Sequence, residues 1–351
     1  MNVLRGFRAH FVFPSGEAIL SRGNGLWHYS PDTKTLQKMV SLPYRQKWMH
    51  LCTWQPLRRL FRGDVFHVVP TGNNALAVFF DYQIIHLKDN RIQTVIPLSI
   101  RRPLRIGYFP QHDLIVWGEY STDTDPHTSC IYQFEANTQQ WIRKFCFPPG
   151  SIRHIHNVIY DPFRKHFWIL TGDYEPTSGI WKSTDLSHCT PFLTGEQQYR
   201  AVELVPLPEG IMWATDSERE RNQIFIYNLK HQQQEAVGTL PSSAFYLRRL
   251  DALYFASTVV EPSEINTTTH ATLWVSQTGH HWFPFLQVAR SRLPLRYFGY
   301  TEIALPLYEN PRLVKYFYFS LLNTQQGTRT LVFRKEDILQ HIQHSQAPIR
   351  I

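Results

Sequence analysis

The chain has 351 residues, of which 18% are charged and 14% aromatic, with 10 Trp, 17 Tyr and 23 Phe. So much aromatic surface with so little charge excludes a disordered chain, and no run approaches the roughly 18 apolar residues of a membrane-spanning helix. A net charge of +8 and a pI near 9.3 favour acidic partners. The basic residues come only as scattered pairs such as Arg58-Arg59, Arg101-Arg102 and Arg248-Arg249, which argues against nucleic acid.

The segment Met1–His10 lacks the apolar core and cleavage site of a signal peptide. Cys52, Cys130, Cys146 and Cys189 are widely spaced and form no CxxC pair. Both features predict a cytoplasmic protein with reduced thiols. A strand around His10-Phe-Val-Phe13 is expected to pair with the last sheet and close a ring, since an open ring would leave an edge bare.

From there a unit recurs. Apolar runs stand at Ala18–Leu20, Ala75–Phe80, Leu114–Trp117, Phe167–Leu170, Ile211–Ala214, Leu253–Ala256 and Tyr316–Phe319. Each is followed by a third strand, such as Gly25–Tyr29, Gln83–Leu87, Cys130–Phe134 or Gly179–Lys182. Seven copies of a four-strand unit at intervals of roughly 40–60 residues predict an all-β fold, a single seven-bladed β-propeller over 1–351. Six or eight blades stay open. No long helical segments separate the strands, which excludes a TIM barrel. The one good helix pattern is near the C-terminus, at about 335–344.

Two hairpins, Ser183-Thr-Asp185 and Ser276-Gln-Thr-Gly279-His-His-Trp282, resemble degenerate Asp-boxes of sialidase-like propellers. The stretches Gly150–Pro162, Thr171-Gly-Asp173, Gln198–Val202 and Ala214–Glu218 resemble bacterial BNR-repeat, sialidase-like proteins over about residues 105–230. That resemblance implies a fold and no particular chemistry. The Arg-Ile-Pro signature of a true sialidase is absent, because Gly107 follows Arg105-Ile106.

Strand order within a blade predicts a side. Residues at the start of the innermost strand should meet residues just after the second strand. The first group includes Arg101, Arg102, Arg105, Arg153, His154, His156, Gln198, Tyr199, Arg200, Arg248 and Arg249. The second includes Asp81, Glu119, Asp173, Asp216 and Glu218. A basic-and-His set and an acidic set should therefore share one face around the channel mouth.

His154-Ile-His156 on a strand aims both imidazoles to one side. With Asp173 they offer a ligand set for a divalent metal, although the pattern requires no cofactor. Arg153 and Arg200 could hold a substrate carboxylate or phosphate, with Gln198 and Glu218 beside them, or could stitch blades together by pairing with Asp173 and Asp216. The strand tryptophans, Trp117 and Trp213 among them, read as core between blades.

The residues point to a propeller that binds or acts on an anionic glycan or sugar intermediate. Hydrolysis would use two of Glu119, Asp173, Asp216 and Glu218 as acid and base. Lyase chemistry would use Arg153 or Arg200 against a uronate carboxylate, with His154, His156 or Tyr199 taking the α-proton. The alternative is a non-catalytic scaffold that holds a protein partner.

Overall fold

The computed structural model describes residues 1–51, 54–61, 63–98, 102–121, 125–344 and 347–351. Cys52 and Arg101 lie outside the described residues.

Burial sorts the strands of each repeat. Second strands such as Gly210–Thr215 and Tyr316–Leu322 are buried along their whole length, whereas the outer strand Arg91–Pro97 is exposed along its whole length. A strand covered on both faces needs a continuous apolar run, and a rim strand does not. Among the described residues the result is seven sheets arranged as propeller blades, each antiparallel within its four-strand repeat.

The repeat of blade 1 runs Arg8–Val12, Ala18–Arg22, Gly25–Ser30 and Thr35–Ser41 outward, and the two-residue strand Leu307–Tyr308 pairs in parallel on the channel side of Arg8–Val12. Blades 2 and 3 begin with His67–Gly72 and Arg102–Phe109. Blade 4 comprises His154–Asp161, His166–Gly172, Gly179–Ser183 and Thr190–Thr194, and blades 5 and 6 begin with Ala201–Leu207 and Ala244–Leu250.

Blade 7 is built from both ends of the chain. Its inner strands are Glu302–Ala304, Tyr316–Leu322 and Arg329–Arg334, and its outermost strand is Asn2–Arg5, in register Asn2↔Val332 to Arg5↔Arg329. The closing strand is thus Asn2–Arg5, not His10–Phe13. Residues Arg8–Val12 instead form the innermost strand of the blade 1 repeat, because the segment is buried from Ala9 to Val12 while Asn2–Arg5 alternates. A helix, Lys335–His344, follows the last strand of the repeat. Among the described residues no helix is long and apolar enough to cross a membrane.

The core lies between blades. Trp117 stacks on Tyr132 of its own blade and meets Phe79 of blade 2 edge-on at 6.0 Å. Trp168 and Trp213, from blades 4 and 5, share one cluster. The two Asp-box-like hairpins join third to fourth strands, on the face opposite the innermost-strand starts. There Ser183 Oγ accepts from Leu186 N at 2.9 Å, and Ser276 Oγ accepts from Gly279 N at 2.8 Å.

The cysteines depart from expectation. Cys130 and Cys146 face each other across neighbouring strands of blade 3 and are disulfide-bonded, and Cys189 is free. Spacing along the chain does not reveal a cross-strand register, so the pair reads as two isolated thiols in the sequence.

Candidate functional site

A cavity of about 510 Å³ opens at the channel mouth, on the face where innermost strands begin and second strands end. Arg8 and Arg102 enter it from strand starts, and Asp173, Asp216 and Glu261 from the ends of second strands in blades 4, 5 and 6. Two inter-blade connections meet above it. Arg59, on the helix Gln55–Leu60, donates from Nη2 to Phe298 O at 2.8 Å, and Phe298 ends the helical turn Leu295–Phe298.

At one side of this cavity His154, His156 and Asp173 converge. A β-bulge between Ile155 and Asn157 leaves His156 with no residue opposite it on the neighbouring strand, a distortion that re-aims side chains beside functional sites. Gly172 makes room for the ring, since a Cβ there would lie 2.3 Å from His156 Cε1. Both histidines are buried, at 0% and 2% exposure.

Their backbone partners set the tautomers. His154 Nδ1 lies 2.5 Å from Ser121 O, and His156 Nδ1 lies 2.8 Å from Ala201 O. A carbonyl only accepts, so both Nδ1 atoms donate, and in the neutral rings both Nε2 atoms keep a lone pair. Those two Nε2 atoms are 3.0 Å apart, and Asp173 Oδ1 is 3.1 and 3.3 Å from them. Three acceptors thus point at one another, and they need a cation or an extra proton between them.

Burial pushes the His156 imidazole down to about 4, only partly offset by the hydrogen bond to Asp173, so it is neutral at pH 7. Burial alone would raise the Asp173 carboxyl, but the two imidazoles beside it outweigh burial when a proton sits between Nε2 and Oδ1, and then hold the carboxyl well below the usual carboxylate range.

The donor set suits a metal. Ligands bound to one ion at about 2.1–2.2 Å sit roughly 3 Å apart along an octahedral edge, which is the spacing of these three atoms. Imidazole nitrogen with carboxylate oxygen is also a common combination for divalent first-row ions.

The arginines expected to hold substrate are engaged by carboxylates. Arg153 Nη1 is 3.2 Å from Asp173 Oδ2, and Arg200 Nη2 reaches Asp173 Oδ1 at 3.3 Å and Asp216 Oδ2 at 3.4 Å. Arg200 therefore stitches blade 4 to blade 5. Its Nε and Nη1 atoms and Asp216 Oδ1 are buried without hydrogen-bond partners. Burial pushes the Asp216 carboxyl up to about 8, with Arg200 opposing and Glu261 and Asp173 adding to the rise. Burial also raises Glu261.

Other expected site residues are elsewhere. Glu119 accepts from Cys130 N at 3.0 Å and from Tyr132 OH at 3.1 Å, between strands of blade 3 and away from the cavity. It lies inside the strand Leu114–Tyr120, so alternation turns it away and sends Tyr120 to the cavity instead.

Gln198 bonds Gln234 and Glu196, and Tyr199 packs beside Trp213. The intervening 3₁₀ turn directs Gln197 to the site, where its amide donates to Asp173 O at 3.0 Å. Glu218 does line the cavity and accepts from Tyr174 OH at 2.7 Å.

Arg105 and Arg248 flank the buried Glu203 in the channel, and Arg249 lies over Tyr254. Asp81 accepts from Arg45 N at 2.6 Å. Arg58, Arg59, Arg296, Tyr297 and Tyr300 line the cavity from the two connections and carry no sequence periodicity that would mark them.

No known protein family matches the chain, and no curated protein does. Solved structures do. An oligogalacturonate lyase from Vibrio parahaemolyticus superposes with a TM-score of 0.61 at 11% identity, over 94% of this chain and 90% of that one. An oligogalacturonate lyase in complex with manganese gives 0.58 at 10% identity, over 96% and 91%. The WD40 propeller domain of Doa1 gives 0.58 at 8% identity, over 96% and 97%. At such identities the likeness establishes the fold, a seven-bladed β-propeller shared by carbohydrate-acting and WD40 proteins.

Proposed function

We propose that this propeller acts on an anionic sugar in the mouth cavity, with a divalent metal held by Nε2 of His154, Nε2 of His156 and Oδ1 of Asp173. The observation that carries this reading is the convergence of three acceptor atoms within 3.0–3.3 Å with no donor among them. Local charge agrees. Among the described residues, blades 4 to 6 bring Asp173, Asp216, Glu218 and Glu261 to the cavity against Arg153 and Arg200. With Asp216 protonated at neutral pH, three carboxylates face two guanidiniums and leave one negative charge for a cation to offset. The manganese complex of an oligogalacturonate lyase with the same fold also supports it.

The ion would supply a Lewis acid beside a substrate oxygen. The chain's own residues supply the proton chemistry. Asp216, held at about 8, keeps its proton at neutral pH and suits the role of acid toward a leaving oxygen. Glu218, whose only partner among the described residues is Tyr174, suits the role of base. His154, His156 and Tyr199 are not bases for an α-proton on this reading, since the first two turn Nε2 inward and the third lies off the cavity.

Elimination from a uronate is favoured over hydrolysis by the two lyases of like fold. The Cys130–Cys146 bridge supports an oxidising compartment over the cytoplasm. A protein-binding role is the second reading, favoured by exposed Trp54 (64%) and Trp48 (46%) near the mouth connections.

The test has two parts. Metal uptake of the purified chain and of His156→Ala is measured with manganese and zinc, expecting about one ion per wild-type chain and none in the variant. Uronate oligomers are then followed by the ultraviolet absorbance of the unsaturated product. A chain that takes up no divalent ion would sink the metal centre, and metal-loaded protein inert across the panel would sink the lyase.

A further inference from the structure

The cavity is electrically two-sided. Opposite the acidic arc of blades 4 to 6, the arc of blades 7, 1 and 3 and the two overlying connections carries Arg8, Arg58, Arg59, Arg102 and Arg296. Only Asp64 and Glu302 balance them on that side among the described residues. Five guanidiniums against two carboxylates leave an excess of three positive charges on one wall.

These arginines differ in how they are held. Arg102 lies over the Phe66 ring at 3.4 Å, which fixes its plane. Arg58 reaches Asp64 at 3.4 Å, and Arg59 is tied to Phe298 O. The Arg8 side chain has no hydrogen bond or ion pair among the described residues, yet it begins the innermost strand of the blade 1 repeat and lines the cavity. Guanidiniums anchored on separate segments and turned to one space bind fixed anionic groups, and a planar fork matches both carboxylate and phosphate.

We propose that this wall, and not Arg153 with Arg200, is the anion-recognition site, and that it takes a sugar bearing two or three negative charges. A ligand with one charge leaves most of the excess uncompensated, whereas two or three carboxylates, or one or two phosphates at about −1.5 to −2 each, match it. Arg153 and Arg200 instead face Asp173 and Asp216 on the acidic arc. This inference rests on the cavity being a sugar site, as proposed above, but not on the metal. It fixes the ligand's orientation, with its acidic groups toward blades 7, 1 and 3 and its reacting carbon toward His154, His156 and Asp173. The volume of about 510 Å³ admits a small oligosaccharide.

The experiment is calorimetric titration with three probes: tri-galacturonate for carboxylates, fructose 1,6-bisphosphate for phosphates and maltotriose as the neutral sugar. At least one anion should bind about tenfold or more tighter than maltotriose, and its affinity should fall with added salt. Arg8→Gln and Arg102→Gln, on different blades, should each weaken that anion about tenfold or more. Arg143→Gln, on an exposed outer strand, should leave it unchanged. Circular dichroism melts confirm that each variant is folded.

Equal affinity for neutral and anionic probes, no binding of either anion, or unchanged affinity in both folded wall variants would overturn the proposal. Manganese uptake is measured on the same samples. If uptake is absent while anion binding depends on Arg8, the metal centre fails and the wall stands; if an anion binds and both folded wall variants leave its affinity unchanged, the wall fails alone; if neither anion binds, the wall and the anionic-sugar reading fail together.

Discussion

Replacing Asp173 by Asn removes one negative charge from a buried cluster of two guanidiniums and two imidazoles. Its carboxylate lies 3.2 Å from Arg153, 3.3 Å from Arg200 and 3.1 and 3.3 Å from the two histidines. Breaking a buried ion pair costs about 3–5 kcal/mol, because the partner charge stays buried and uncompensated. The side chain is 15% exposed, which places the cost near the low end, about 3 kcal/mol. For a chain of this length that is a fall in melting temperature of roughly 5 °C.

The pH dependence has a definite sign. The folded-state Asp173 titrates well below its ordinary value of 3.8, so its stabilisation is present above that pH and fades as pH falls below it. The gap between wild type and Asp173→Asn should therefore be full at pH 7 and should narrow below about pH 4. Manganese at about 100 times its dissociation constant should add about 2.7 kcal/mol to wild type and little to the variant. Urea titrations at several pH values, with and without manganese, measure both effects. A variant within about 0.5 kcal/mol of wild type at pH 7 that still gains stability from manganese would refute the reasoning.

Gly172→Ala would place a Cβ 2.3 Å from His156 Cε1 and 2.4 Å from Nε2, so the ring must move. The expected cost is about 1–3 kcal/mol with loss of manganese uptake, read by denaturation and metal analysis. Asp216→Asn tests the raised carboxyl. The native state keeps this proton up to about pH 8 while the unfolded chain loses it above 3.8. Wild-type stability relative to the variant should thus decline by about 1 kcal/mol per pH unit as pH rises between those values, and a flat difference would contradict the raised value. Cys146→Ser opens a bridge spanning a sequence separation of 16. It should cost about 3 kcal/mol by chain entropy, and Cys130 and Cys146 should resist thiol titration in the wild type until reductant is added.

How legible the molecule was depends on the range of the interaction. Second strands announce themselves because burial on both faces demands unbroken apolar runs, as in Tyr316–Leu322. The closing strand Asn2–Arg5 is a rim strand, half exposed, and its short alternating pattern gave no such cue. His154 and His156 were legible because two residues on one strand suffice to aim them together, and Asp173 followed from its equivalent place after the second strand.

Glu119 lies one residue of register away from the cavity, since a period of two reverses the side chain's direction and Tyr120 takes the place. Gln198 gave way to Gln197 because a 3₁₀ turn, not a strand, precedes blade 5. Arg58, Arg59 and Arg296 sit in connections, where sequence carries no periodicity and only the closed ring brings them together.

The two arcs of the mouth explain each other. An acidic arc with a formal surplus of two charges is an unfavourable arrangement unless a cation or protons occupy it, and burial raises two of its carboxyls accordingly. Arg200 is one of the two cations already set against that arc, yet two of its nitrogens and one Asp216 oxygen lack hydrogen-bond partners, so the network is not closed by the described residues themselves. A basic arc with the opposite surplus faces it across the same cavity. A protein selected only for stability would pair these charges directly. Holding them apart across about 510 Å³ costs stability and creates a field along which a polyanionic ligand has one favoured orientation. The arginines nearest the histidines are thereby positioning residues for Asp173, and those farthest from them are the contacts for the ligand's charge.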